Sequence, residues 1–149
     1  AMTAADHPAV AGLVLMGVSL PMPVNADLLQ QAKDDPQTAA SLIAKWGCDK
    51  DHPQAEAARQ TVLNQMAQTP PACLYADLFA CNAFAPASLP AKPALVITAS
   101  RDKMTPPVAG SAVAERIAAR TVSLEGGHMM MTEQAGNIAK VLAEFAGSI

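Results

Sequence analysis

Residues 94–107, Ala-Leu-Val-Ile-Thr-Ala-Ser-Arg-Asp-Lys-Met-Thr-Pro-Pro, decide the fold of this chain. The stretch opens with Ala94–Ser100, a short apolar run that is typical of a strand buried on both faces of a parallel sheet. Asp102 follows in a loop, and Thr105 before Pro106 predicts the N-cap and the first-turn proline of a helix. A buried strand that leads through a loop into a helix is the repeating unit of α/β folds.

The same pattern occurs again before and after this stretch. Val10–Gly17 is a continuous apolar run that ends in glycine, and Arg120–Leu124 is a shorter run of the same kind. The helix that begins at Thr105 is expected to end near Ala119, so strands and helices alternate with short links. This alternation predicts an α/β fold with a parallel three-stranded sheet and right-handed crossovers.

A further helix is predicted at the C-terminus. Thr132 opens it, and Glu133 lies in its first turn, where a negative charge suits the helix dipole. Its apolar residues recur at helical spacing and are Ile138, Val141, Leu142 and Phe145. We expect this stripe to face the core.

Residues 24–88 interrupt the alternation with a predicted series of helices. The first runs from Asp35-Pro36 to Gly47, and the second runs from Pro53 to the proline pair Pro70-Pro71, before a third. Their predicted apolar stripes are Ala39, Leu42, Ile43 and Trp46, then Ala55, Ala58, Val62 and Met66, then Leu74, Leu78 and Cys81.

The insert is either an elaborate connection or a lid over a pocket, and the chemistry of the loops that follow it favours a lid. The sequence therefore predicts a core formed by residues 1–23 and 89–149, with a helical cap formed by residues 24–88.

Composition excludes several classes of function. The chain has 149 residues, of which 51% are hydrophobic and 15% are charged, as expected for a folded domain. Its Lys and Arg residues are scattered, which argues against nucleic-acid binding, and its apolar runs are shorter than the roughly 20 residues of a membrane helix. No signal peptide, cofactor motif or metal-ligand spacing is recognisable. Three cysteines, Cys48, Cys73 and Cys81, are predicted to be buried free thiols of a cytoplasmic protein.

The first residues suggest that a neighbouring strand lies outside this sequence. Ala1–His7 is interpreted as the last turns of a helix that stops at Pro8, directly before the apolar run Val10–Gly17. Such a run at the edge of a sheet would be prone to aggregation. We therefore expect its other edge to pair with a strand from missing N-terminal sequence or from another chain.

Two loops carry candidate catalytic residues. Asp102 follows one predicted strand, and His128 follows the next within Glu125-Gly-Gly-His-Met129. Either residue alone is more simply interpreted as an ordinary loop residue, as His7 and His52 are. Because the carboxyl ends of parallel strands lie at one edge of a sheet, however, the two side chains should meet there. An imidazole that acts as a general base needs such a carboxylate on its other ring nitrogen.

These residues resemble the acid and histidine loops of the α/β-hydrolase superfamily. Val10–Gly17 is similar to the family's sixth strand, residues 24–88 to its helical cap, Ala94–Pro107 to its seventh strand and acid loop, and Gly126–Met129 to its histidine loop. The resemblance implies the C-terminal half of that fold, a three-stranded remnant of its sheet with a cap insertion. The family's nucleophile lies in a Gly-x-Ser-x-Gly elbow or an equivalent, which this sequence lacks, because Ser19 has no flanking glycines.

The resemblance implies an esterase-type hydrolase that acts on a small apolar ester. Asp102 would orient the histidine, His128 would be the general base, and Met104 and Met129 would contact substrate. The missing half of the fold, or a partner chain, would supply the nucleophile. The alternatives are dehalogenase, epoxide hydrolase or C–C hydrolase chemistry, and a binding module without catalysis.

Overall fold

The core of the computed structural model is a three-stranded parallel sheet in the order β1-β2-β3. The structure describes residues 1–86, 88–89 and 91–149. Its strands are β1 (Leu13–Met16), β2 (Ala94–Ala99) and β3 (Arg120–Leu124). The predicted α/β class and parallel sheet are confirmed. β1 is shorter than the predicted run because its ladder with β2 begins only where Leu13 faces Ala94.

Helices occupy the intervals between the strands. A 3₁₀ turn spans Met2–Ala4, and the insert contains α1 (Ala26–Asp34), α2 (Pro36–Gly47), α3 (Ala55–Ala67) and α4 (Pro71–Asn82). The core helices are α5 (Pro107–Arg116), α6 (Met130–Glu133) and α7 (Ala135–Ala146). Ala87 and Pro90, next to the predicted boundary between cap and core, lie outside the described residues.

Both faces of β2 are buried, which explains its unbroken apolar sequence. Leu95 and Ile97 pack on one face against Ile138 and Phe145 of α7. Val96 points to the opposite face, in a cluster of buried residues with Leu15, Val113 and Ala114. Burial of each large apolar side chain stabilises the fold by about 1.5–3 kcal/mol. The central strand is therefore the main anchor for the loop that follows it.

Two predicted helix starts in the core were wrong. Thr105 is not an N-cap, because α5 begins at Pro107 and the Thr105 hydroxyl donates a hydrogen bond to Asp102 instead. The C-terminal helix is divided into α6 and α7, and Glu133 ends α6 with a buried side chain. Glu133 lies in the first turn of the short helix α6, and its carboxylate accepts bonds from backbone N–H groups of two loops.

The N-terminal segment differs from its prediction, whereas the edge position of β1 agrees with it. A single 3₁₀ turn at Met2–Ala4 replaces the expected end of an α-helix. β1 pairs with β2 on one side, and no strand within the described ranges pairs with its other side.

The insert of residues 24–88, called the cap below, is helical, and the structure assigns no strand to its described residues. Asp35 caps α2 by accepting a hydrogen bond from the Thr38 N–H, with proline in the first turn as predicted. Ala39 and Ile43 are buried between the cap helices. Trp46 is 43% exposed and lines a cavity, in agreement with a stripe expected to face neighbouring helices or the pocket.

Three smaller findings concern the start of α3, the cysteines and the hydropathy of the helices. α3 begins at Ala55, with Gln54 as its N-cap, because residues 51–54 form turns instead of the helical start predicted at Pro53. All three cysteines are free as predicted, but only Cys48 is buried, so the predicted burial of Cys73 and Cys81 was wrong. No helix within the described part of the chain has the length and apolarity required to span a membrane.

Candidate active site

Asp102 is held rigidly in the turn that ends β2. Only 5% of the residue is exposed. Its Oδ1 accepts hydrogen bonds of 2.8 Å from the N–H groups of Met104 and Thr105, and its Oδ2 accepts one of 2.8 Å from the Thr105 hydroxyl. These bonds leave Oδ2 with one open direction, which faces the histidine loop.

His128 occupies that open direction. Its Nδ1 lies 2.9 Å from Asp102 Oδ2 and 3.1 Å from Thr105 Oγ1. Since the Thr105 hydroxyl donates its proton to Asp102, both neighbours of Nδ1 act as acceptors. The arrangement therefore favours the tautomer that carries the proton on Nδ1 and a lone pair on Nε2. The side chain is 23% exposed and lines a cavity.

The surroundings of Asp102 favour its charged form. Burial acts to raise the pKa of the carboxyl, but the hydrogen bonds from His128 and the Thr105 N–H, together with the positive charge that His128 can carry, outweigh it. The pKa of Asp102 therefore lies below its ordinary value. A carboxylate that stays ionised can stabilise an imidazolium next to it.

This lowered pKa predicts acid-sensitive stability. As pH falls, the unfolded chain takes up the proton of residue 102 before the folded chain does, because the folded pKa is lower. The contribution of Asp102 to the free energy of unfolding is thus complete above the ordinary pKa of about 3.9 and is lost as pH falls through the folded pKa. Urea unfolding between pH 7 and pH 3 should show a steeper loss in the wild type than in Asp102→Asn. Equal slopes would contradict this explanation.

Glycines allow three backbone segments to meet at the imidazole. Gly17, at the end of β1, has φ +56°, and a Cβ there would lie 2.9 Å from His128 Cε1. Gly126 has φ +136°, a region that other residues rarely adopt. A Cβ on Gly127 would lie 2.5 Å from the Gly47 carbonyl oxygen and 2.6 Å from the Asp49 nitrogen. The histidine loop is therefore in direct contact with the cap.

We expect Gly127→Ala to destabilise the protein by about 1–3 kcal/mol, as overpacking of a tight contact usually does. The clashing atoms belong to the backbone, so the cap or the loop has to shift. Urea unfolding measures the effect. The control is Gly136→Ala in α7, where an added Cβ meets nothing within 4 Å and helix propensity improves. Similar stability changes in the two variants would contradict the tight contact.

A cavity of about 730 Å³ adjoins His128, a size suited to a small-molecule ligand. Core, cap and connecting segments all contribute to it. Its lining is mainly apolar and includes Gly17, Ser19, Leu20, Pro21, Met22, Pro23, Val24, Asn25, Leu28, Trp46, Leu78, Cys81, Lys103, Met104, Thr105, Pro106, Ala109 and His128.

The methionines that follow the Asp102 and His128 loops do not all line the cavity. Met104 lines the cavity. Met129 packs against Gly47 and the cap cluster and is not among the lining residues. Met130 is fully buried in the core, and Met131 is 39% exposed. The structure therefore brings Met104, Asp102 and His128 together at one end of the sheet. Met129 is close to them but packs against the cap and does not line the cavity.

Sequence reasoning missed the roles of Thr105, Gly17 and Glu133 around His128. Thr105 carried a signal, since a threonine three residues after an aspartate can form a local side-chain hydrogen bond. Gly17 was noticed only as the end of a strand. Glu133 was recognisable as a lone carboxylate shortly after three consecutive methionines, a setting in which burial is plausible.

Comparison with known proteins rests on structure alone. No protein-family model matches the chain, and no curated protein matches it by sequence. The enol-lactonase from Burkholderia xenovorans LB400 matches with a TM-score of 0.80 and 21% identity, over 97% of this chain and 59% of the lactonase. An esterase from Exiguobacterium antarcticum matches with a TM-score of 0.74 and 17% identity, over 95% of this chain and 60% of the esterase. A bromoperoxidase from Bacillus anthracis matches with a TM-score of 0.72 and 14% identity, over 97% of this chain and 61% of the bromoperoxidase.

The chain thus spans less than two thirds of each of these proteins, while they cover nearly all of it. In this chain the matched part contains the parallel sheet β1-β2-β3, with helices on both faces of the central strand. The chain therefore has the α/β-hydrolase fold, over part of that fold's length.

Proposed function

We propose that this chain supplies the acid and the histidine of a hydrolase that cleaves small apolar esters with a nucleophile–Asp–His triad. The observation that carries the proposal is the 2.9 Å contact between Asp102 Oδ2 and His128 Nδ1 at the wall of the 730 Å³ cavity. A buried aspartate, an oriented imidazole and an adjoining apolar cavity are the parts that such chemistry requires.

In the proposed mechanism His128 Nε2 takes the proton of a serine hydroxyl while the serine oxygen attacks the ester carbonyl. Asp102 holds the Nδ1 proton and stabilises the imidazolium that forms. The imidazolium then protonates the departing alcohol, which leaves an acyl-serine. His128 next takes a proton from water, the resulting hydroxide releases the acid, and the serine recovers its proton. In this proposal the serine and the oxyanion-hole donors are supplied by the missing half of the fold or by a partner chain.

The lining of the cavity supports the proposed substrate class. Leu20, Leu28 and Met104 contribute apolar surface, and neither aspartate nor glutamate is among the lining residues. Such a wall suits a small or medium acyl group. The matched structures described as esterases and an enol-lactonase support ester-type chemistry in this fold.

The nucleophile decides between this proposal and its rivals. The protein expressed from the complete reading frame is treated with a fluorophosphonate, and the modified residue is mapped by mass spectrometry. We expect a labelled serine outside residues 1–149 and hydrolysis of p-nitrophenyl butyrate. Turnover of haloalkanes or epoxides without serine labelling would replace ester hydrolysis with the chemistry of an aspartate nucleophile. Ligand binding without any turnover would indicate a binding module.

The 149-residue chain alone should not turn over p-nitrophenyl butyrate, because the proposed nucleophile is not part of it. The measurement is a steady-state assay against a buffer blank. Linear hydrolysis by this chain that His128→Ala abolishes would show that the nucleophile lies within residues 1–149.

A further inference from the structure

Glu133 is a buried carboxylate that the proposed mechanism does not use. Only 5% of the residue is exposed. Its Oε2 accepts a 2.6 Å hydrogen bond from the Gly127 N–H, and its Oε1 accepts a 2.6 Å hydrogen bond from the Asp49 N–H. One N–H belongs to the histidine loop and the other to the cap, just after α2.

A carboxylate in this position is costly unless it is fully hydrogen-bonded. Here it also satisfies two backbone donors in a place where the chain is buried, since Gly126 and Gly127 are both buried. Charge-assisted bonds of this kind are about twice as strong as neutral ones. The side chain is therefore well suited to hold two loops at a fixed separation.

Other contacts fix the same two segments against each other. The Met129 N–H donates a 2.9 Å hydrogen bond to the Gly47 carbonyl, so His128 lies between a residue bonded to the cap and Gly127, which is bonded to Glu133. Arg101 Nε donates to Asp49 Oδ2 at 2.7 Å, and Arg101 Nη1 donates to Glu125 Oε2 at 3.0 Å. Glu133 differs from Arg101 because both of its hydrogen bonds are buried and one of them is to Gly127, the residue that precedes His128.

We propose that Glu133 is a positioning residue that couples the cap to His128, because its carboxylate bridges the N–H groups of Gly127 and Asp49 and so keeps Nδ1 on Asp102. The value of this coupling for catalysis rests on the proposed function, whereas the coupling itself is a property of the chain. Displacement of the cap at Asp49 would break one of the two bonds of Glu133 and release the histidine loop. His128 therefore keeps its contact with Asp102 only while the cap is bonded to Glu133.

The test uses the 149-residue chain at pH 7, with ¹⁵N-labelled histidine and amide hydrogen exchange. Long-range ¹H–¹⁵N spectra report the His128 tautomer, and in the wild type they should show the proton on Nδ1. Glu133→Gln keeps one acceptor oxygen but presents an NH₂ to the other donor. We expect exchange to accelerate by about 10- to 100-fold at Gly127 or Asp49, but not at both, with a partial shift of the His128 signals.

Glu133→Ala should accelerate exchange at both amides and should average the two His128 tautomers. Glu144→Gln, at an exposed carboxylate of α7, is the control and should change neither readout. A wild-type tautomer in Glu133→Ala despite rapid exchange at both amides would reduce Glu133 to a structural residue and overturn the proposal. If the alanine variant does not fold, unshifted His128 signals in Glu133→Gln overturn it equally. Neither spectrum needs a nucleophile or a substrate, so failure of ester hydrolysis is a separate result.

Discussion

Replacement of His128 by alanine is expected to lower kcat of the proposed ester hydrolase by about 10⁴- to 10⁶-fold, because the members of a catalytic triad act as a unit. The imidazole is the only group in the described part of the chain that both contacts Asp102 Oδ2 through a ring nitrogen and lines the 730 Å³ cavity. Without it the proton of the proposed serine nucleophile has no acceptor. Steady-state hydrolysis of p-nitrophenyl butyrate measures the effect.

His7→Ala is the matched control, since His7 is exposed and its ring accepts only a local hydrogen bond from the Ala9 N–H. We expect its kcat to equal that of the wild type. A His128→Ala enzyme that retains more than a tenth of wild-type activity would exclude His128 as the general base. A circular dichroism melt of each variant separates loss of chemistry from loss of fold.

Asp102→Asn is expected to lower kcat by about 10⁴-fold at neutral pH. The asparagine oxygen can still accept the hydrogen bonds from the Met104 and Thr105 N–H groups. Its NH₂ group, however, then faces His128 Nδ1, where Oδ2 now lies 2.9 Å away. Nδ1 must become an acceptor, so the proton moves to Nε2 and the lone pair that should take the serine proton is lost.

The ¹⁵N signals of His128 in Asp102→Asn provide a direct check, because the mechanism requires its tautomer to reverse. Asp77→Asn, at an exposed position on α4, serves as the control and should keep both kcat and the tautomer. Loss of activity with an unchanged tautomer would mean that Asp102 acts by charge alone. Unchanged activity would remove Asp102 from the triad.

Much of the architecture could be read from local sequence. The strand Ala94–Ala99 was recognisable because a strand covered by helices on both faces needs apolar residues at every position. The alternation with helices then placed the loops of Asp102 and His128 at one sheet edge, since parallel strands share their direction. The order of strands and helices follows from local sequence patterns, and the strand direction follows from that order, so both could be predicted from the sequence.

The tertiary structure alone decided how the site is held together. Thr105 was expected to cap a helix, but its hydroxyl has a buried carboxylate within 2.8 Å and bonds to that instead. Met129 was expected to contact substrate, but its side chain packs against Gly47 of the cap and is not among the residues that line the cavity. Glu133 reaches Asp49 across 84 positions of sequence. Side-chain partners of this kind depend on which segments meet after folding. The spacing of residues along the chain does not show which distant segments these are.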